Sequence, residues 1–149
     1  MNDVPKVVVF KLSSNEYGLK VDEVREVLKL QDITALPNSP DYVVGVTNIR
    51  GEITPIIDLR KKLNIYGNFE ENDANNKEML VMVIEIEGVP VGILVDAVND
   101  VLQISNDQIE NLGEIGRNMS GEYIEGIAKI ENRLIILLNI NNLINPQEL

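Results

Sequence analysis

The segments Tyr17–Leu28, YGLKVDEVREVL, and Val91–Leu102, VGILVDAVNDVL, are one pattern written twice. At an offset of 74 residues, Gly18, Val21, Asp22, Val24, Val27 and Leu28 recur as Gly92, Val95, Asp96, Val98, Val101 and Leu102. Glu26 meets Asp100 in the same alignment. A second pair follows at an offset of 81: YVVGVTNIRGEITPIIDLRKKLN from Tyr42 and YIEGIAKIENRLIILLNINNLIN from Tyr123. There Tyr42, Gly45, Ile49 and Asn64 recur as Tyr123, Gly126, Ile130 and Asn145, and Asp58 meets Asn139. Six identities in the twelve positions of the first pair argue against chance. Repetition on this scale marks a duplicated structural unit.

Each copy reads as the same series of short elements. In the first, Lys6–Leu12 is a strand, Ser13–Glu16 a turn and Tyr17–Val21 a returning strand. Asp22 then opens a short helix, DEVREVLKL, with its carboxylate as N-cap and Val24, Val27 and Leu28 on one face. ITALPNSPDY, with Pro37 and Pro40, is irregular. Two strands follow around a tight turn at Arg50-Gly51, with Pro55 expected at an edge or bulge. LRKKLNI gives one helical turn. In the second copy a hairpin turns at Glu87-Gly88, DAVNDVLQI repeats the short helix with Asp96 as cap, and a hairpin turns at Glu131-Asn132. A terminal helix, NNLINPQ, ends the series. The expected fold is all-β with a few short helices, about five strands per copy, in two small barrels sharing a core. Residues 1–149 thus form one domain of two similar lobes, with first-copy motifs at 6–66 and second-copy motifs at 79–146. A polar loop at 67–78 joins them, and a second polar loop spans 105–121.

Composition narrows the function. Val and Ile occupy 36 of the 149 positions and aromatic residues only six, which suits strands. Thirteen Lys and Arg against 24 Asp and Glu leave a net charge of −11, which argues against nucleic acid and anionic membrane partners. No apolar run approaches a membrane span and no leader pattern opens the chain, so a cytoplasmic protein is expected. The absence of Cys and His removes thiolate nucleophiles, imidazole acid–base chemistry and the commonest metal ligands.

Carboxylate chemistry remains, but no constellation supports it. Asp22 and Asp96 come from two copies of one motif, where a cap explains them. Glu70, Glu71 and Asp73 lack the spacing of a calcium loop, and Gly113–Gly116 is no phosphate-binding motif. Neither a metal nor a cofactor is expected. Recognition by surface is left. Arg50 at one hairpin tip stands against Glu131 at its repeat. That reversal suits a recognition task, or a tip that tolerates any charge. Val24 and Val98 suit either core positions or a groove for an apolar helix face, flanked by Arg50 and Glu26.

The combination of EYGLKVDEVREVL, LPNSPDYVVGVTNIRGEITPIIDL and VGILVDAVNDVL resembles the CheW family of bacterial chemotaxis coupling proteins. The likeness runs from about residue 6 to 146 and is sharpest at GVTNIRGEITPIIDL, with Asn48, Arg50, Gly51, Pro55, Asp58 and Leu59. The resemblance implies two five-stranded SH3-like barrels around a shared core. It also implies an adaptor without enzymatic activity, recruited to membrane receptor arrays. Its partners would be the helical-hairpin tip of chemoreceptors and the regulatory domain of the histidine kinase CheA. By the same resemblance the receptor surface includes Val24, Glu26, Gly45, Arg50, Gly92 and Val98, while the kinase surface uses lobe ends with no residue assigned. A CheW-like adaptor of a non-chemotaxis kinase pathway is the alternative.

Overall fold

The runs VVVF and LVMVI are apolar at every position because the strands that contain them are covered on both faces, each lying between two apolar cores. The computed structural model describes residues 5–63, 79–110 and 123–145. Eleven strands appear among them: β1 (Lys6–Leu12), β2 (Asn15–Lys20), β3 (Val24–Lys29), β4 (Val43–Ile49), β5 (Glu52–Ile57), β6 (Leu80–Ile86), β7 (Val89–Val95), β8 (Ala97–Gln103), β9 (Ile109–Glu110), β10 (Ile124–Ile130) and β11 (Arg133–Leu138). Two helical turns, α1 (Leu59–Lys62) and α2 (Ile140–Leu143), and two 3-10 turns, Val21–Glu23 and Asn106–Gln108, complete the set. The all-β class and the helical turn in LRKKLNI are as expected, and so are the three hairpins near Gly51, Gly88 and Glu131.

Sheet order follows the duplication. One sheet runs β8-β1-β2-β11-β10-β9 and the other β3-β6-β7-β5-β4. Replacing each strand by its repeat converts the second order into the first five strands of the other, so the lobes are related by an approximate twofold. The parallel pairs agree residue by residue: Gly18 lies opposite Leu137, and their repeats Gly92 and Ile56 lie opposite each other. The sequence copies and the sheets are nevertheless different units. The β1–β2 hairpin of the first copy completes the sheet of β8 to β11, and β6–β7 of the second completes that of β3 to β5. The chain crosses between sheets twice among the described residues, at Val21–Glu23 and at Asp96.

Three cores result. Val8, Phe10, Leu12 and Leu19 from one sheet meet Met82, Ile84, Ile86 and Ile93 from the other in the shared core. The opposite faces of the same strands send Val7 and Val9 into one barrel, and Val81 and Val83 into the other. Full burial of each such aliphatic side chain is worth about 1.5–3 kcal/mol, which makes the shared layer the main bond between lobes.

The two expected short helices are strands instead. DEVREVLKL gives the 3-10 turn Val21–Glu23 and then β3, and DAVNDVLQI gives β8. Asp22 and Asp96 therefore cap no helix. The helical spacing was produced by a β-bulge. On β3 the extra residue Arg25 puts Val24 opposite Ile84 and Val27 opposite Met82, on one face, while Leu28 turns toward Val81 inside the barrel. Asn99 does the same on β8 for Val98, Val101 and Leu102. The capping side chains lie elsewhere. Asp58 accepts from the Arg60 N–H at 3.0 Å at the start of α1, and its repeat Asn139 accepts from Asn142 at α2.

Pro55 is on an interior strand, between β4 and β7, rather than at an edge. The ladder to β7 begins one residue later, at Ile56, so the missing N–H deserts no acceptor there. Ser105–Glu110, read as part of a polar loop, holds the second 3-10 turn and β9; the rest of that loop, with Gly113–Gly116, lies outside the described residues. The loop at 67–78, with Glu70, Glu71 and Asp73, lies outside them too.

Candidate partner-binding site

Arg50 sits at the tip of the β4–β5 hairpin with φ of 53°, followed by Gly51 at 86°. Positive φ at both central residues defines a type I′ turn, whose twist matches the flanking strands. Ser13, Glu87 and Glu131 hold the same conformation at the other hairpins, so the backbone of Arg50 reflects turn geometry rather than a special strain.

The side chain is distinctive. Arg50 donates from Nε and Nη2 to the Glu26 carboxylate at 2.9–3.1 Å. Its side chain remains 75% exposed, whereas Glu26 is 18% exposed. The pair holds the pKa of Glu26 below its ordinary value, chiefly through those hydrogen bonds. It spans the outer strands β3 and β4, so the sheet has curled until they meet. The segment after β3 completes the closure: Thr34 bridges Val46, and the Thr47 hydroxyl donates to the Asp32 carbonyl.

The other lobe answers differently. Asp100, the repeat of Glu26, also receives an arginine, but from Arg133, the first residue of β11. Arg133 grips Glu16 as well, at 2.7 and 3.0 Å, and Asn99 donates to Glu16 at 2.9 Å. Its guanidinium is therefore engaged on both edges, and its side chain is 34% exposed. In the first lobe the repeat of Arg133 is Glu52, which pairs with Arg25 at 3.6 Å, and Arg25 also donates to Glu85. The charge reversal between Arg50 and Glu131 is thus a relocation: each lobe keeps an arginine on its β3- or β8-strand acid, and only Arg50 presents it at an exposed tip.

Arg133 depresses the titration of Glu16, mainly by direct hydrogen bonding. A carboxylate with a lowered folded pKa adds stability above its unfolded value, here 4.5, and loses it as pH falls through the folded one. Glu16→Gln is expected to flatten the acid limb of stability below about pH 4.5, with a difference under about 1 kcal/mol at neutral pH because the pair is partly exposed. Chemical denaturation across that range measures it, and parallel acid limbs in both proteins contradict it.

The remaining residues expected at the receptor surface divide by depth. Val24 and Val98 are half-buried at equivalent rims of the shared core, on different lobes. Gly45 and Gly92 are buried in the barrel wall of the Arg50 lobe. A Cβ on Gly92 would stand 2.6 Å from Ile56 Cδ1 and 2.8 Å from Val81 Cγ1, and one on Gly45 would strike the Thr34 carbonyl. Glu26 and Arg50 are in direct contact, Val24 shares β3 with Glu26, and Val98 lies apart.

Two repeated aliphatic pairs are exposed, Val27 with Val101 and a second, more exposed pair that the sequence reading missed. Ile53 and Leu134, repeats of each other beside the β4–β5 and β10–β11 turns, are 74% and 61% exposed. The offset of 81 was enough to find them, since an aliphatic residue recurs where hairpin ends are ordinarily polar.

Comparison with known proteins gives a consistent identity. A family model described as the CheW-like domain matches residues 6–148. The chemotaxis protein CheW of Klebsiella aerogenes is 36% identical over 143 residues, covering 95% of this chain and 82% of its own. That of Bacillus subtilis is 34% identical over 142 residues, covering 95% and 88%. The crystal structure of the scaffolding protein TtCheW from Thermoanaerobacter tengcongensis superposes with a TM-score of 0.83 at 32% identity, covering 99% of this chain and 92% of that one. With the duplicated barrels and the GVTNIRGEITPIIDL hairpin in place, the chain belongs to the CheW-like family.

Proposed function

We propose that this protein is a chemotaxis adaptor that binds the cytoplasmic helical-hairpin tip of chemoreceptors and the regulatory domain of the kinase CheA, placing kinase activity under receptor control. It acts by contact and without catalysis. The observation that carries the receptor half is Arg50: an exposed guanidinium, oriented by one half-buried carboxylate, with Nη1 left over among the described residues. Val24 and Val98 supply apolar rim, while Gly45 and Gly92 act from within by letting strands approach closely. No helix among the described residues is long and apolar enough to cross a membrane, so the protein would join receptor arrays through its partners. For the kinase half, Ile53 and Leu134 are the lobe-end residues we assign. Aliphatic side chains this exposed at two equivalent hairpins suit paired contacts with a domain of like fold.

Arg50→Glu should weaken binding of a soluble receptor-tip fragment by about tenfold or more, with an unchanged melting temperature. The charge-swapped double variant Glu26→Arg, Arg50→Glu restores an internal pair and should still fail to bind. Wild-type affinity in the swapped protein would show that Arg50 serves only the fold. Titration calorimetry with the fragment reads both outcomes.

A further inference from the structure

We infer that Arg60 and Asp96 form a positioning pair that fixes one lobe against the other beside Val98, a role that rests on the adaptor reading above. Arg60, on α1, is 4% exposed. Its Nε lies 3.3 Å from Asp58 Oδ1, and its Nη1 lies 3.7 Å from Asp96 Oδ1. Asp96 is the single residue between β7 of one sheet and β8 of the other. Its backbone N–H donates to the Lys11 carbonyl at 2.9 Å, and its Oδ2 accepts from the Ser13 N–H at 2.6 Å. The crossover is thereby tied to the β1–β2 hairpin in one lobe and to the end of β5 in the other. Val98 follows two residues later.

The duplication supplies the control. At the other crossover, Asp22 repeats Asp96, but Arg60 is repeated by Asn141, Asp58 by Asn139 and Ser13 by Glu87. Asp22, Glu87 and Asn141 are exposed. One crossover is pinned by a buried guanidinium between two carboxylates, and its twin carries Asn141 at the position equivalent to that arginine. A paired buried charge is a poor source of net stability compared with packed aliphatic residues, yet it tolerates few geometries. Its retention on one side suits a role in setting inter-lobe geometry, with Val98 on the fixed side and Val24 following the unpinned one.

The chain has no cysteine, so Lys29→Cys on β3 and Lys129→Cys on β10 give one clean spin-label pair across the lobes. In that background Asp96→Asn removes the charge facing Arg60 but keeps an acceptor for Ser13. The expected result is a broadened inter-lobe distance distribution, with cooperative melting intact and affinity for the receptor-tip fragment lowered about tenfold. The transplant Asn139→Asp, Asn141→Arg, which places the residues of Asp58 and Arg60 at their repeats, should narrow the distribution instead. A distribution unchanged by Asp96→Asn overturns the inference. Failure of the wild-type protein to bind the fragment would overturn the adaptor reading, while the distances would still decide the positioning role.

Discussion

Severed within residues 67–78, the protein is expected to yield two fragments that do not fold separately and that reassemble when mixed. The reason is the exchange of hairpins between the copies. The first fragment keeps β1–β2 and β4–β5 as paired strands, but β3 loses β6, its neighbour. In the second, β8 loses β1, and β10–β11 loses β2. What remains in each is a set of separate hairpins, extended in the second only by the two-residue β9, and such pieces are marginal in water. Each fragment would also expose its half of the shared core, where Phe10 and Leu12 meet Met82 and Ile84. The whole folding free energy, on the order of 5–15 kcal/mol for a domain, should therefore be absent from either piece and return on mixing. Amide spectra of the separate and mixed fragments report this directly. A dispersed, cooperatively melting spectrum from residues 1–72 alone would mean that the sequence copies are themselves the folding units.

That contrast marks how far the sequence could be read. The repeat was visible in Gly18 and Gly92, and the hairpins in Arg50-Gly51 and Glu87-Gly88, because local turn chemistry and identity at fixed offsets need no tertiary knowledge. The exchange was not visible, since both arrangements bury the same Val and Ile residues and differ only in which copy's β1–β2-type hairpin lies between the β3-type and β5-type strands. The false helices at Asp22 and Asp96 have a similar cause: a bulge inserts one residue into a period of two and produces a spacing of three. At the candidate site, Arg50 was legible as a charge difference between copies. Glu26 was named as a neighbour of the same groove, but its direct pairing with Arg50, 24 residues away, emerged only once barrel closure brought β3 to β4. The Arg60–Asp96 pair had no local signal, because it joins residues from different copies across the lobe boundary.

Gly45→Ala is expected to cost about 3 kcal/mol or more, because both the backbone conformation and the surroundings of Gly45 oppose an added methyl group. Gly45 holds φ of +155°, a conformation that L residues rarely adopt. Its added Cβ would meet the carbonyl of Thr34 and, at 2.6 Å, the Ile33 side chain. Thr34 is backbone, anchored to Val46 by two hydrogen bonds of 2.8 Å, so it cannot move without opening the seam that closes the barrel. At Gly92 the nearest obstacles are side-chain methyl groups of Ile56 and Val81 rather than backbone, and about 1–3 kcal/mol is the expected cost. Both substitutions should reduce receptor binding, by a route unlike that of Arg50→Glu. Opening the seam frees β4 and removes Arg50 from Glu26, so binding should fall in step with the folded fraction. Thermal melts and fragment titrations on the same samples separate the cases. Wild-type melting in Gly45→Ala would remove the steric account, and lost binding with that melting would make Gly45 a contact surface in its own right.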